Sequence, residues 1–158
     1  MNTPQNTNNN QPTPVANPVN AVNPAQTVKS APRKILLVDD DRFLLDMYAI
    51  KFSKSGYDVK TADSTDLALQ VIKGGFVPEI VLADVVMPGM DGLEMMAAIQ
   101  QQKLAPKATL IMLTNQGSSD DIARARKLNV DGYIVKATTV PSEVLKAVES
   151  VLITKKPI

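Results

Sequence analysis

Asp39, Asp40 and Asp41 stand in a row behind the apolar run Ile35-Leu36-Leu37-Val38, and Asp84 stands behind a second run, Glu79-Ile80-Val81-Leu82-Ala83. Thr114 follows Thr109-Leu110-Ile111-Met112-Leu113, and Lys136 follows Tyr133-Ile134-Val135. These groups suit one chemistry, transfer of a phosphoryl group to a carboxylate. Crowded carboxylates repel one another, and a divalent cation relieves the repulsion. An all-oxygen donor set with room for water suits magnesium. A carboxylate is a competent nucleophile toward phosphorus and forms an acyl phosphate. The phosphoryl group is negatively charged, so catalysis is mainly positioning and electrostatic stabilisation. The Lys136 ammonium can serve as a point charge there, and the Thr114 hydroxyl can donate to a phosphoryl oxygen. The chain has no histidine and no cysteine. Phosphohistidine, thiolate metal sites and disulfides are therefore excluded.

Each residue alone has an ordinary explanation. An Asp behind a strand often caps the next helix, and Asp41 is read that way. Thr114 alone is a loop hydroxyl, Lys136 alone a solvated lysine, and Asp84 alone a turn residue. The joint placement of one reaction's residue types at four strand ends favours the functional reading.

The elements that must position these groups alternate strand and helix five times from Lys34. The run 35–38 suits a buried parallel strand. Leu45, Tyr48, Ala49 and Phe52 give a helical face that stops at Gly56. Residues 57–61 suit an edge strand. Leu67, Ala68, Val71 and Ile72 form the next helical face, ended by Gly74-Gly75. Met87-Pro88-Gly89-Met90 fits a type II turn. Asp91 with Glu94 resembles a capping box for a helix to about Gln101, and Ser118 with Asp121 repeats the pattern. Val144, Val148, Val151 and Leu152 give a last helix with Pro141 in its first turn. Such repeats predict a parallel sheet with helices on both faces. Ligands then bind beyond the carboxyl ends of the strands, where strand order switches.

The chain has 158 residues and a formal net charge of +1. This argues against a generic nucleic-acid or membrane-surface binder. The basic residues Arg124, Arg126 and Lys127 of the fourth helix read as a solvated face. No apolar run is long enough for a membrane span and no signal peptide is evident, so a cytoplasmic location is expected. Three segments are expected. Residues 1–33, rich in Asn, Pro and Gln, form a disordered tail, either a tether or a solubilising extension. Residues 34–154 form the folded domain, and 155–158 a short C-terminal tail.

The motifs Val38-Asp39-Asp40-Asp41, Asp84-Val85-Val86-Met87-Pro88-Gly89-Met90-Asp91-Gly92, Leu113-Thr114 and Val135-Lys136 resemble, in order and interval, those of response-regulator receiver domains of two-component signalling. The resemblance spans about Lys34 to Leu152. It implies a flavodoxin-like (βα)5 doubly wound parallel sheet with strand order 2-1-3-4-5. It implies that Asp39 and Asp40 hold magnesium with Asp84 and the Val86 backbone carbonyl, and that Asp84 is the phosphoacceptor. It further implies that Thr114 is a switch hydroxyl, Tyr133 the switch aromatic and Lys136 the phosphate-pairing lysine. The implied partners are a histidine kinase or phosphotransfer protein and a downstream target protein read through the fourth helix, fifth strand and fifth helix.

Three positions depart from the family pattern. Ala137 stands where proline is usual, and Asn115, followed by Gln116, stands where a small residue is usual. Apolar Val86 stands where a side chain can position an attacking water, which predicts a long-lived phosphoform. The expectation is a single-domain response regulator with no DNA-binding domain. It would not be an enzyme on a separate substrate, although it would catalyse its own phosphorylation and dephosphorylation. The alternatives are a pseudo-receiver that binds partners without phosphorylation and an aspartate-nucleophile phosphatase. The latter usually needs a second Asp two residues after the nucleophile, where Val86 stands.

Overall fold

The computed structural model describes residues 1–2, 30–115, 117–136 and 140–155. The expectations for the N-terminal tail and for the last three residues lie outside these. The chain divides after Ser30, and every element lies in the unit Ala31–Ile158.

Five strands alternate with five helices: β1 (Lys34–Val38), α1 (Arg42–Lys54), β2 (Asp58–Ala62), α2 (Thr65–Lys73), β3 (Ile80–Ala83), α3 (Gly92–Gln101), β4 (Thr109–Thr114), α4 (Ser119–Lys127), β5 (Gly132–Val135) and α5 (Pro141–Thr154). All pairings are parallel, and the strand order is β2-β1-β3-β4-β5. This is the flavodoxin-like fold the sequence predicts.

The continuous apolar runs are explained by burial on both faces. Leu36, Val38, Val81, Ala83, Leu110 and Met112 pack with α2 and α3. Their neighbours Ile35, Leu37, Ile80, Leu82, Ile111 and Leu113 pack with Leu45, Tyr48 and Phe52 of α1 and Val144, Leu145 and Val148 of α5. Successive strand residues point to opposite faces, so a strand covered on both sides must be apolar throughout. Each aliphatic side chain so buried stabilises the fold by about 1.5–3 kcal/mol.

The helix starts follow the expected caps. The Asp41 carboxylate accepts from the Phe43 and Leu44 amides. Asp91 and Glu94 form a reciprocal capping box on α3. At α4 the Ser118 hydroxyl accepts from the Asp121 amide but also donates to the Asp121 carboxylate, so the second half of a capping box is replaced by a side-chain pair.

Two local expectations are corrected. Leu67 is 39% exposed, and Leu69 takes its place in the core with Ala68 and Ile72. The buried stripe of α2 is set by Thr65, whose hydroxyl reaches the Met90 carbonyl, and Leu67 falls off that stripe. Tyr57 precedes β2 rather than opening it. Its amide donates to the Phe52 carbonyl and its ring meets Phe52 edge-on at 5.3 Å, so it closes α1.

The turn after β3 has Gly89 at φ 77°, as the third position of a type II turn requires. Gly92 opens α3 so close to the strand end that a Cβ there would fall on the Asp84 carbonyl oxygen. Gly92→Ala is therefore expected to destabilise the domain by about 3 kcal/mol, read as a fall in the midpoint of urea unfolding. A wild-type midpoint would refute this close approach.

Candidate functional site

Asp39, Asp84 and Lys136 are each the first residue beyond a strand, and each stays anchored by the ladder. The Asp39 amide donates to Ala62 at 3.2 Å, the Asp84 amide to Val38 at 3.0 Å and the Lys136 amide to Thr114 at 2.7 Å. Their backbones are thus as well fixed as the sheet, which is how rigid elements hold reacting groups precisely.

The structure brings together residues 97 positions apart in sequence. The Lys136 ammonium lies 2.8 Å from Asp39 Oδ2 and 3.7 Å from Asp84 Oδ2, with its side chain wholly buried. Asp39, Asp40 and Asp84 each offer a carboxylate oxygen within 4.8 Å of the others'. Asp39 and Asp84 are buried while Asp40 is exposed, so the cluster opens to solvent on one side. The second Asp39 oxygen accepts from the Asp41 amide at 3.0 Å, and Asp84 Oδ1 accepts from the Val86 amide at 3.3 Å.

The electrostatics follow from burial. Asp39 and Asp84 face the Lys136 ammonium, and Asp40 adds a third carboxylate to the cluster. Burial pushes the Asp84 carboxyl above its usual pKa, opposed by Lys136 and reinforced by Asp39. Burial acts to lower the Lys136 pKa, but the hydrogen bond and charge of Asp39 and the charge of Asp84 outweigh it, so the ammonium is held protonated. The cluster keeps a surplus of negative charge among oxygen donors, part buried and part open to water. That donor set fits a hard divalent cation that retains some of its waters.

Thr114 is 1% exposed at the end of β4 and pairs in register with Val135. Tyr133, on β5, has a buried hydroxyl without a hydrogen-bond partner among the described residues. Val86 is 69% exposed at the rim, and Asn115 is exposed. Gln116, which follows Asn115, and Ala137, one of the departures noted above, lie outside the described residues.

Some supporting residues carry no motif signal. Thr65 ties α2 to the turn after Asp84. Arg124 Nη2 pairs with Asp91 Oδ2 at 2.7 Å, joining α4 to the cap of α3, and Nη1 lies 3.3 Å from Asp121. Arg124 read in isolation as part of a solvated basic face. Only the approach of α4 to α3 reveals its partner.

Residues 35–149 match the response regulator receiver domain family model. The chain is 30% identical over 120 residues to the phosphate regulon transcriptional regulatory protein PhoB of Pseudomonas aeruginosa, covering 76% of this chain and 52% of that one. It is 32% identical over 120 residues to the alkaline phosphatase synthesis transcriptional regulatory protein PhoP of Bacillus subtilis, covering 76% and 48%. It thus spans about half the length of these curated relatives. The solved structure of the chemotaxis response regulator CheY4 of Vibrio cholerae superposes with a TM-score of 0.70 at 28% identity, covering 77% of this chain and 99% of that one. A CheY-like receiver domain protein of Methanospirillum hungatei gives 0.70 at 28% identity, covering 78% and 95%. The chain belongs to the response regulator receiver domain family of two-component systems. No helix among the described residues is long and apolar enough to cross a membrane.

The charge balance gives two measurable consequences. A carboxyl whose folded pKa is raised contributes stability that is full below its unfolded pKa and lost as pH rises through the folded value. Asp84→Asn should therefore raise the Tm of the metal-free protein by several degrees at neutral pH and change it little near pH 3. Equal melting curves at both pH values would contradict the burial argument. Lys136→Met leaves two buried carboxylates without their cation and should destabilise the metal-free domain by about 3 kcal/mol. Chemical denaturation at neutral pH measures it.

Proposed function

We propose that this chain is a phosphorylation-switched signalling domain in which Asp84 accepts a phosphoryl group. The donor is the phosphohistidine of a histidine kinase or phosphotransfer protein. An Asp84 carboxylate oxygen attacks phosphorus in line and forms the O–P bond. The P–N bond to the donor imidazole breaks, and the imidazole leaves with its electron pair. Asp39 and Asp40, with Asp84 and the Val86 carbonyl, would hold a magnesium ion, which neutralises charge on the phosphoryl oxygens. Lys136 stabilises the same charge from the buried side, and the Thr114 hydroxyl donates to a phosphoryl oxygen.

The observation that supports this reading is the wholly buried Lys136 ammonium, 2.8 Å from Asp39 and 3.7 Å from Asp84. One ammonium cannot neutralise the whole carboxylate cluster, which is open to solvent on one side and so can take a further cation and an incoming phosphoryl group. In this reading Thr114 moves toward the new charge and Tyr133 follows it, which changes the surface formed by α4, β5 and α5. A cytoplasmic target protein reads that surface. In this reading the domain signals by phosphorylation-dependent binding and turns over no separate substrate.

Incubation with magnesium and acetyl phosphate, followed by intact mass measurement, tests the reading. One phosphoryl adduct is expected on the wild type and none on Asp84→Asn. No adduct on the wild type would favour a pseudo-receiver. Sustained release of phosphate from a generic phosphate ester would favour a phosphatase. Val86 is exposed beside Asp84 and has no group to orient water, so the phosphoform should be long-lived. Val86→Asn should shorten its lifetime by roughly tenfold, measured as loss of the adduct after the donor is removed.

A further inference from the structure

Tyr48 sits in the middle of α1 and is 2% exposed. Its position on the core face of α1 explains the ring. It does not explain the hydroxyl, which is buried and has no hydrogen-bond partner among the described residues. Buried tyrosine hydroxyls ordinarily find one.

A small cavity lies at this place. It is lined by Leu37, Val38, Leu45, Leu82 and Leu113 together with Tyr48, Asp39 and Asp84. Its volume of about 10 Å³ is at the lower limit of the space one water needs. A trapped water also needs two to four polar partners, and Tyr48, Asp39 and Asp84 are the polar residues of this lining. A fully aliphatic cavity of this size would stay dry.

We infer that Tyr48 is a positioning residue of the site, its hydroxyl holding one internal water against the Asp39 and Asp84 carboxylates from the core side. This rests on the reading of Asp84 as the phosphoacceptor. The phenol donates its hydrogen to the water, and the water donates one hydrogen to each carboxylate. Asp84 has the greater need of it. Beside the Val85 amide its contacts are long, the Val86 amide at 3.3 Å and the Lys136 ammonium at 3.7 Å, whereas Asp39 has the Asp41 amide at 3.0 Å and Lys136 at 2.8 Å. The Lys136 ammonium also lies 6.0 Å from the Tyr48 ring centroid, at the outer limit of a cation–π contact. Tyr48 therefore borders the acceptor and the lysine at once. Burial raises the pKa of the phenol, with Asp39 and Asp84 adding to the rise and Lys136 opposing it, so the hydroxyl keeps the hydrogen it must donate.

Two variants of the full chain separate this role from packing. Tyr48→Phe deletes the hydroxyl and keeps the ring, and Tyr48→Leu removes both. High-resolution crystal structures of the wild type and Tyr48→Phe are expected to show a water bonded to Tyr48, Asp39 and Asp84 in the former and none in the latter. The initial rate of phosphorylation by saturating acetyl phosphate and magnesium should fall by roughly tenfold in Tyr48→Phe with an unchanged Tm. A pure packing role would leave Tyr48→Phe at the wild-type rate and impair only Tyr48→Leu, which overturns the inference, as does a wild-type crystal lacking the water. If the wild type takes no phosphoryl group, the phosphoacceptor reading fails, and the crystal structures still decide whether Tyr48 holds the water.

Discussion

An ammonium taken wholly out of water must be compensated where it lies, and in this domain the compensation comes from two other strand ends. Lys136 meets Asp39 at 2.8 Å and Asp84 at 3.7 Å. One cation cannot balance three carboxylates, so the cluster keeps a residual negative charge and an appetite for a further cation. The same burial that strengthens the Lys136 pairs raises the Asp84 pKa, because desolvation penalises whichever charge is less well paired. Buried ion pairs are weak sources of stability. Their retention here therefore calls for a reason other than stability.

The sheet makes this arrangement possible by bringing β1, β3 and β5 to a common edge. The ladder bonds that continue to Asp39, Asp84 and Lys136 extend the stiffness of the sheet to these charged groups. Helix α4 buries only Ala125 of its own residues and leans on the Arg124–Asp91 pair and its Ser118 cap. An element with so little buried apolar surface belongs to the low-stability end of a domain. It is also tied to the cap of α3, close to Asp84 in the chain. That is a physical basis for coupling between the Asp84 loop and the surface of α4 and β5.

The site is supported from several directions by residues that are not at the strand ends. Thr65 holds the turn after Asp84 through the Met90 carbonyl, Gly92 lets α3 start against the Asp84 carbonyl, and Tyr48 lines the small cavity beside Asp39 and Asp84. Each lies in a helix, and each matters because of what another element places beside it.

The sequence by itself determined the alternation of five strands and five helices, the helix caps at Asp41 and Asp91, the type II turn at Gly89 and the identity of the groups at the strand ends. These follow from local rules: apolar runs, helical periodicity and the backbone demands of turns and caps act over a few residues. The exposure of Leu67, the use of Tyr57 to close α1, the Arg124–Asp91 pair and the burial of the Tyr48 hydroxyl without a hydrogen-bond partner among the described residues were decided only by the tertiary structure. Each depends on which element packs against which and at what rotation. The same holds for the contact of Lys136 with Asp39. Its ingredients were legible in the chain, but its 2.8 Å distance exists only because β1 and β5 end at the same edge of one sheet.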